Sequence, residues 1–201
     1  MCIRDRFNGT DVAPSNNSGT RVDNTMSLGT SSHRFANAYV TNGVTTGSDE
    51  TEKQNIASLT SAEITAATAI SKMFKTFKWK DKVAAKGDDA RTHTGVIAQQ
   101  VETAMSDAGL DIGNYAFFVS GTWWETQTEV AAVEADEENG IEAKDAYTRT
   151  DTYQTQEEAP EGATERNRKS LRYAELLAFI GAATEQRLTS IESRLTALEG
   201  E

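Results

Sequence analysis

The sequence predicts an α+β fold, a small mixed helix and strand body closed by a long C-terminal helix and preceded by a β-rich segment. Three observations carry this expectation. Residues 7–47 are rich in Gly, Asn, Ser and Thr, with short extended stretches such as Ala38–Val40 between glycine turns. After Asn55, apolar residues recur at helical spacing, interrupted by aromatic alternation. Near the C-terminus, Leu188, Ile191, Leu195 and Leu198 follow a 3, 4, 3 rhythm.

Taken in order, residues 7–47 hold too few apolar side chains for a core of their own. They are either a flexible linker or the end of a fibrous β-structure whose partners are other chains. Thr60-Ser61-Ala62-Glu63 fits a capping box, and Ile64, Ala67, Ile70 or Ser71, and Phe74 follow at helical spacing, so a helix is expected from Ser61 to Lys72. Phe77 and Trp79 alternate with Lys78 and Lys80, the pattern of a short half-buried strand. A second helix is expected over Thr94–Ala108, with Ile97, Val101, Ala104 or Met105, and Ala108 on its apolar face and Gly109 to stop it. Tyr115–Val119 and Thr122–Glu129, separated by Ser120-Gly121, read as a hairpin.

The stretch Ala131–Arg168, inside an acidic insertion of about 125–168, is poor in large apolar residues and contains Pro160 and Gly162; it reads as a solvated loop or extended arm. Ser170 then caps a helix expected over Leu171–Leu198, about 42 Å long at about 1.5 Å per residue. Leu171, Leu176, Leu177, Phe179 and Ile180 crowd more than one face of its first half, as packing against a body requires. Its second half has two heptads, with Glu192, Arg194 and Glu199 available for flanking ion pairs. Two heptads are too short to stand alone, so equivalent helices of sister chains are expected, in a parallel homo-oligomer.

Composition excludes several classes of function. No apolar run approaches the roughly 20 residues that span a bilayer, and Met1–Arg6 is polar where a signal peptide carries its apolar core, so no membrane partner is expected. The single Cys2 cannot form an internal disulfide, His33 and His93 lack zinc spacing, and Asp136-Glu137-Glu138 lacks the EF-hand pattern; no metal or cofactor is expected. A net charge of −11 opposes nucleic-acid binding. Glu125–Glu165 holds 13 acidic residues against Lys144 and Arg149, which accounts for the entire excess; the remainder of the chain is neutral.

One short motif lies where the β-rich segment meets the body. Ser48-Asp49-Glu50-Thr51-Glu52-Lys53-Gln54-Asn55-Ile56 resembles the S-D-x-x-x-K-x-N-I signature that opens the intramolecular chaperone, or peptidase S74, domain at the C-terminus of phage tail fibres and tailspikes. Two further blocks match in order, Arg91-Thr92-His93-Thr94-Gly95-Val96-Ile97-Ala98-Gln99-Gln100-Val101 and Leu171-Arg172-Tyr173-Ala174-Glu175-Leu176-Leu177. The stretch Leu28–Tyr39 resembles the fibre-tip motif that leads into such domains. The resemblance runs from Ser48 to the C-terminus and is weakest over Gly113–Arg168.

It implies a division into a fibre segment, 1–47, and a chaperone domain, 48–201. The family's domain forms a homotrimer through a C-terminal coiled coil, here Leu188, Ile191, Leu195 and Leu198, and aligns the upstream fibre segment of the same polypeptide. It then releases itself by autoproteolysis. Ser48 would be the nucleophile, Lys53 its general base and Ser48–Asp49 the cleaved bond; His93 and Arg172 match positions needed for processing or for the trimer. Such a chain is a tail-fibre precursor of the virion assembled in the host cytoplasm, and a fragment of a longer protein. Cleavage would be single-turnover and in cis.

The chemistry sets its own conditions. A solvated lysine, with a reference pKa of about 10.4, is protonated at neutral pH, so a lysine base needs desolvation or a nearby positive charge, for which Arg172 is a candidate. Glu50 and Glu52 bring charge of the opposite sign. Five helical residues would set Ser48 and Lys53 about 140° apart, and an extended chain would separate them by about 16 Å. The segment must therefore bend back, or the lysine must come from another chain. On spacing alone Ser48 and Lys53 are also ordinary turn residues, His93 a structural histidine, Arg172 a partner of Glu175, and Trp79, Trp123 and Trp124 core or interface residues. The alternative function is a non-cleaving trimerisation cap or receptor-binding fibre tip.

Overall fold

The structure is a computed structural model and describes residues 6–7, 12–16, 18–135 and 142–200, with side chains from residue 14 onward. The elements are β1 (Arg6–Phe7), β2 (Val12–Ala13), α1 (Ser61–Ser71), β3 (Lys75–Phe77), α2 (Lys80–Lys86), β4 (His93–Gly95) and α3 (Ala98–Asp107). They continue with β5 (Phe118–Val130), β6 (Tyr147–Tyr153), β7 (Thr164–Leu171) and α4 (Tyr173–Glu199). The mixed helix and strand composition and the long C-terminal helix agree with the α+β expectation. No described helix is long and apolar enough to cross a membrane. Asp136-Glu137-Glu138 lies outside the described residues.

The chain divides into two compact units. One comprises Thr46–Thr122 and Asn167–Glu201 and holds the core. Ala66, Ala67 and Ile70 of α1, Val101, Ala104 and Met105 of α3, and Leu176, Phe179 and Ala183 of α4 are buried together with Val96 and Phe117. The α1 alanines leave no bulk between helices, so α4 and α3 approach closely. Tyr115, Phe117 and Phe179 fill the remaining side, with ring centroids 5.3–5.9 Å apart.

Helix α1 starts at the expected capping box: Thr60 Oγ1 accepts from the Glu63 N–H and Glu63 accepts from the Thr60 N–H. Helix α3 begins later than expected, because Thr94 and Gly95 pair with β3 in the register Phe77↔His93, Thr76↔Thr94, Lys75↔Gly95. Ile97 is accordingly an exposed N-cap residue, not a member of the buried face. Gly109, at φ +76°, ends the turn after α3.

Trp79 does not extend β3; it precedes α2, a short helix with no buried residue and hence no apolar stripe to announce it. Ser170 is not the cap of α4 either. It remains in β7, and Arg172 occupies the N-cap position.

The other unit comprises Met1–Thr45 and Trp123–Arg166. In its N-terminal part, Asn16 Oδ1 accepts from the N–H groups of Ser18 and Thr20, and Thr30 Oγ1 accepts from the His33 N–H, so local polar turns substitute for a core. Ala38–Val40 forms no strand, and Tyr39 is 93% exposed.

The acidic insertion differs most from its expected form. It is largely strand: β5 and β6 pair antiparallel from Trp124↔Tyr153 to Val130↔Tyr147, a bridge continues the ladder at Val133↔Lys144, and β7 adds to β5 in the order β6-β5-β7. Thr and Tyr dominate β6 and supply the β preference, while Arg149 stands at an exposed position and Asp151 at a half-buried one. Thr148 Oγ1 donates to Glu129 at 2.8 Å, and Arg149 pairs with Asp151 at 2.9 Å. The hairpin expected at Ser120-Gly121 is absent. Gly121 does not adopt positive φ, and β5 runs straight through. Ser120 and Thr122 instead share the side-chain amide of Asn167, at 3.0 and 2.9 Å.

Candidate active site

Asp49 starts a single 3-10 turn over Glu50–Glu52. Its carboxylate accepts from the Thr51 N–H at 2.9 Å and from the Thr51 hydroxyl at 2.7 Å, and the Lys53 N–H closes the turn on the Glu50 carbonyl at 3.1 Å. The Thr51 hydroxyl, followed by its backbone N–H, holds the Asp49 carboxyl below the usual carboxylate range. Beyond this turn the Lys53 side chain reaches back, and its Nζ donates to Ser48 Oγ at 2.7 Å. The segment thus bends back within one chain.

This is nucleophile-to-base distance. In the ammonium form Lys53 donates; once its proton is removed, the same Nζ can accept from the Ser48 hydroxyl without moving. Ser48 and Lys53 are both exposed in the single chain.

His93 and Arg172 do not hydrogen-bond to this pair among the described residues. The His93 ring stacks on Phe77, with centroids 5.7 Å apart and planes 24° apart, and meets Trp79 at 6.2 Å. Arg172 pairs with Glu175 at 3.7 Å, and its N–H donates to the Phe117 carbonyl at 2.8 Å, which joins the start of α4 to the core. Of the tryptophans, Trp123 is buried and Trp79 exposed. The helix residues Leu188, Ile191, Leu195 and Leu198 are all exposed, by 45–71%, and lie beyond the buried Leu176, Phe179 and Ala183 of the same helix. No cluster of metal-ligating side chains occurs among the described residues.

Two contacts were not anticipated from the sequence. The Asp49–Thr51 cap could have been found from an Asp with an N–H and hydroxyl two residues on, the pattern of an Asx turn. The other contact joins two of the motif blocks: the Val96 N–H donates to Tyr173 Oη at 3.1 Å.

A helix and strand body that holds a Ser–Lys pair at its first turn and ends in a long helix with an uncovered apolar stripe has the form of an intramolecular chaperone domain. Residues 48–110 match the model of the peptidase S74 family, the chaperone of endosialidase, and the chain carries a domain of that family.

The chain is 34% identical to a probable tail spike protein of Klebsiella phage 0507-KN2-1, over 89% of this chain and 14% of that protein. It is 32% identical to the side tail fiber protein pb1 of Escherichia phage T5, over 87% of this chain and 11% of that protein. It therefore spans a small fraction of the length of these relatives. Among solved structures, the carboxy-terminal domain of the bacteriophage T5 L-shaped tail fiber with its intra-molecular chaperone domain superposes with a TM-score of 0.68 and 26% identity. That superposition covers 92% of this chain and 39% of the other. The domain is thus an intramolecular chaperone domain of the phage tail-fibre type.

Proposed function

We propose that this chain is the C-terminal part of a phage tail fibre or tailspike precursor, in which residues 48–201 trimerise, align the fibre ahead of them and then detach by one round of autoproteolysis at Ser48–Asp49. The observation that carries the reading is the 2.7 Å contact between Lys53 Nζ and Ser48 Oγ. The relatives, a tail spike and a tail fibre, support the setting in the virion tail fibre. The exposed 3, 4, 3 stripe of α4 supports assembly through a coiled coil.

In the cleavage step Lys53 Nζ takes the Ser48 hydroxyl proton, Oγ bonds to the carbonyl carbon, and the C–N bond breaks as the α-amine of Asp49 leaves with a proton. Water then hydrolyses the ester and restores the serine. A serine attacking its own carbonyl would close a four-membered ring, so the hydroxyl that attacks one chain's Ser48–Asp49 bond belongs to a sister chain. Assembly would thereby supply both the missing nucleophile geometry and the missing desolvation. After cleavage Ser48 leaves with the fibre and Lys53 with the chaperone, so the dyad cannot act again.

The test is denaturing electrophoresis with intact-mass measurement on the chain joined to its upstream fibre. A fragment beginning at Asp49 is expected from the trimer, and none from Ser48→Ala or Lys53→Met. An intact wild-type trimer would remove the protease reading and leave a structural cap; a monomer by light scattering would remove both.

A further inference from the structure

We infer that Asp49 and Thr51 are positioning residues of the cleavage site: the Asp49 carboxylate, by capping the Glu50–Glu52 turn through Thr51, sets the path along which Lys53 returns to Ser48. The inference rests on the Ser48–Lys53 reading above and extends it to residues that touch neither reacting atom except through the chain.

Ser48 and Lys53 are five residues apart, and an extended chain would hold them about 16 Å apart. A contact of 2.7 Å therefore requires a bend in the four intervening residues. Those residues contain a single 3-10 turn. It is exposed, buries no side chain and borrows no stability from a core. Four bonds define it: Asp49 Oδ1 to the Thr51 N–H at 2.9 Å, the same oxygen to Thr51 Oγ1 at 2.7 Å, the Glu52 N–H to the Asp49 carbonyl at 3.3 Å, and the Lys53 N–H to the Glu50 carbonyl at 3.1 Å.

Two of the four, and the two shortest, depend on the Asp49 side chain. Single helical turns are costly to nucleate, and a cap of this kind is the ordinary means of offsetting that cost. Glu50 and Glu52 cannot take the role, since neither side chain hydrogen-bonds back into the turn. The cap lies entirely on the C-terminal side of Ser48–Asp49, so it forms before cleavage and survives in the released domain.

The chemistry of the cap predicts a rank order. Asn keeps an oxygen that can accept from both Thr51 groups, whereas Ala removes both bonds. Thr51→Ser keeps both donors, and Thr51→Val keeps the N–H alone. Because Asp49 also carries the leaving amine, the Thr51 variants separate capping from leaving-group effects.

Self-cleavage rates should be measured on the assembled chain with its fibre segment. Amide hydrogen exchange at Thr51 and Lys53 should be measured in the non-cleaving Ser48→Ala background, with and without each cap variant. Cleavage is expected to slow at least tenfold in Asp49→Ala and severalfold in Thr51→Val, and to stay within about threefold of wild type in Asp49→Asn and Thr51→Ser. Amide protection should follow the same order.

Cleavage by Asp49→Ala at the wild-type rate would overturn the inference. So would equal slowing by Asn and Ala, or slowing with unchanged protection, since the carboxylate would then act on the chemistry and not on the turn. If the wild-type trimer does not cleave, the protease reading falls by itself and exchange decides only whether Asp49 sets the turn: loss of protection in Asp49→Ala upholds the cap, and unchanged protection overturns it.

Discussion

Tyr173, the first residue of the long helix, lays its hydroxyl directly over Gly95, leaving no space for a Cβ there, while that hydroxyl accepts from the Val96 N–H at 3.1 Å. The glycine is thus required by close approach and not by φ. Gly95→Ala would drive a methyl into the tyrosine oxygen and crowd the Phe77 ring, at 3.3 Å. The expected loss is about 1–3 kcal/mol, as for other overpacked sites. Tyr173→Phe should cost about 1–3 kcal/mol by leaving the Val96 N–H without this partner. Because Phe also removes the atom that clashes, the double variant should be more stable than the sum of the two losses. A double-mutant cycle by denaturant unfolding checks this, and additive losses would contradict the contact.

The capping box of α1 should show as a pH dependence. Glu63 is held below the usual carboxylate range chiefly by the Thr60 N–H, then by the Thr60 hydroxyl, with a smaller contribution from Tyr115, whose hydroxyl donates to it at 2.9 Å. A carboxyl with a depressed folded pKa contributes stability above its unfolded value, near 4.5, and loses it as pH falls through the folded value. Tyr115 is pushed up to about 12, first by burial and then by Glu63; its contribution is complete below pH 10 and is lost as pH rises through about 12. Glu63→Gln should flatten the acid limb of a stability–pH curve. An unchanged acid limb would show that other carboxyls control it.

How much could be read in the sequence follows from where each element obtains its stability. The start of α1 was legible because Thr60 and Glu63 cap it locally, and the buried face of α3 because Val101, Ala104 and Met105 recur at helical spacing. Strands β6 and β7 were not, since both of their faces are largely exposed and no period-2 apolar pattern forms; their order comes from pairing with β5. Ser120-Gly121 has the residue types of a turn, but Asn167, far along the chain, bonds the hydroxyls of Ser120 and Thr122 and holds the segment extended. At the proposed site, Ser48 and Lys53 are singled out by three ordered motif blocks, whereas the bend that brings them together contains an Asp49–Thr51 cap whose residue types are common in any loop.

The two halves of α4 should respond differently to mutation. Leu176 is fully buried in the core cluster that also holds residues of α1 and α3, and Leu176→Ala should cost about 2–5 kcal/mol of unfolding free energy. Leu195 is 51% exposed, and Leu195→Glu should leave the fold of the single chain intact while weakening the proposed trimer. Sedimentation velocity alongside circular dichroism separates these outcomes. Unfolding of Leu195→Glu without prior dissociation would mean that the helix tail is needed within the chain itself.

Attack across chains has a consequence that can be tested without any structure. If a serine cannot use its own carbonyl, a tagged Ser48→Ala chain still presents a cleavable bond to a neighbour's hydroxyl and Lys53. Co-expressed with wild type, a fraction of the tagged chains should be cut immediately before Asp49, in proportion to mixed trimers, while tagged homotrimers stay whole. The ring size decides the alternative. A serine can reach the carbonyl of Gly47 through a five-membered ring within its own chain, and such a reaction would leave a wild-type fragment beginning at Ser48 and no cut tagged chain. That pair of results would move the scissile bond to Gly47–Ser48 and return the chemistry to a single polypeptide. A fragment beginning at Asp49 with cut tagged chains makes the trimer itself the active enzyme, and explains why the 2.7 Å dyad of one chain is exposed on its own.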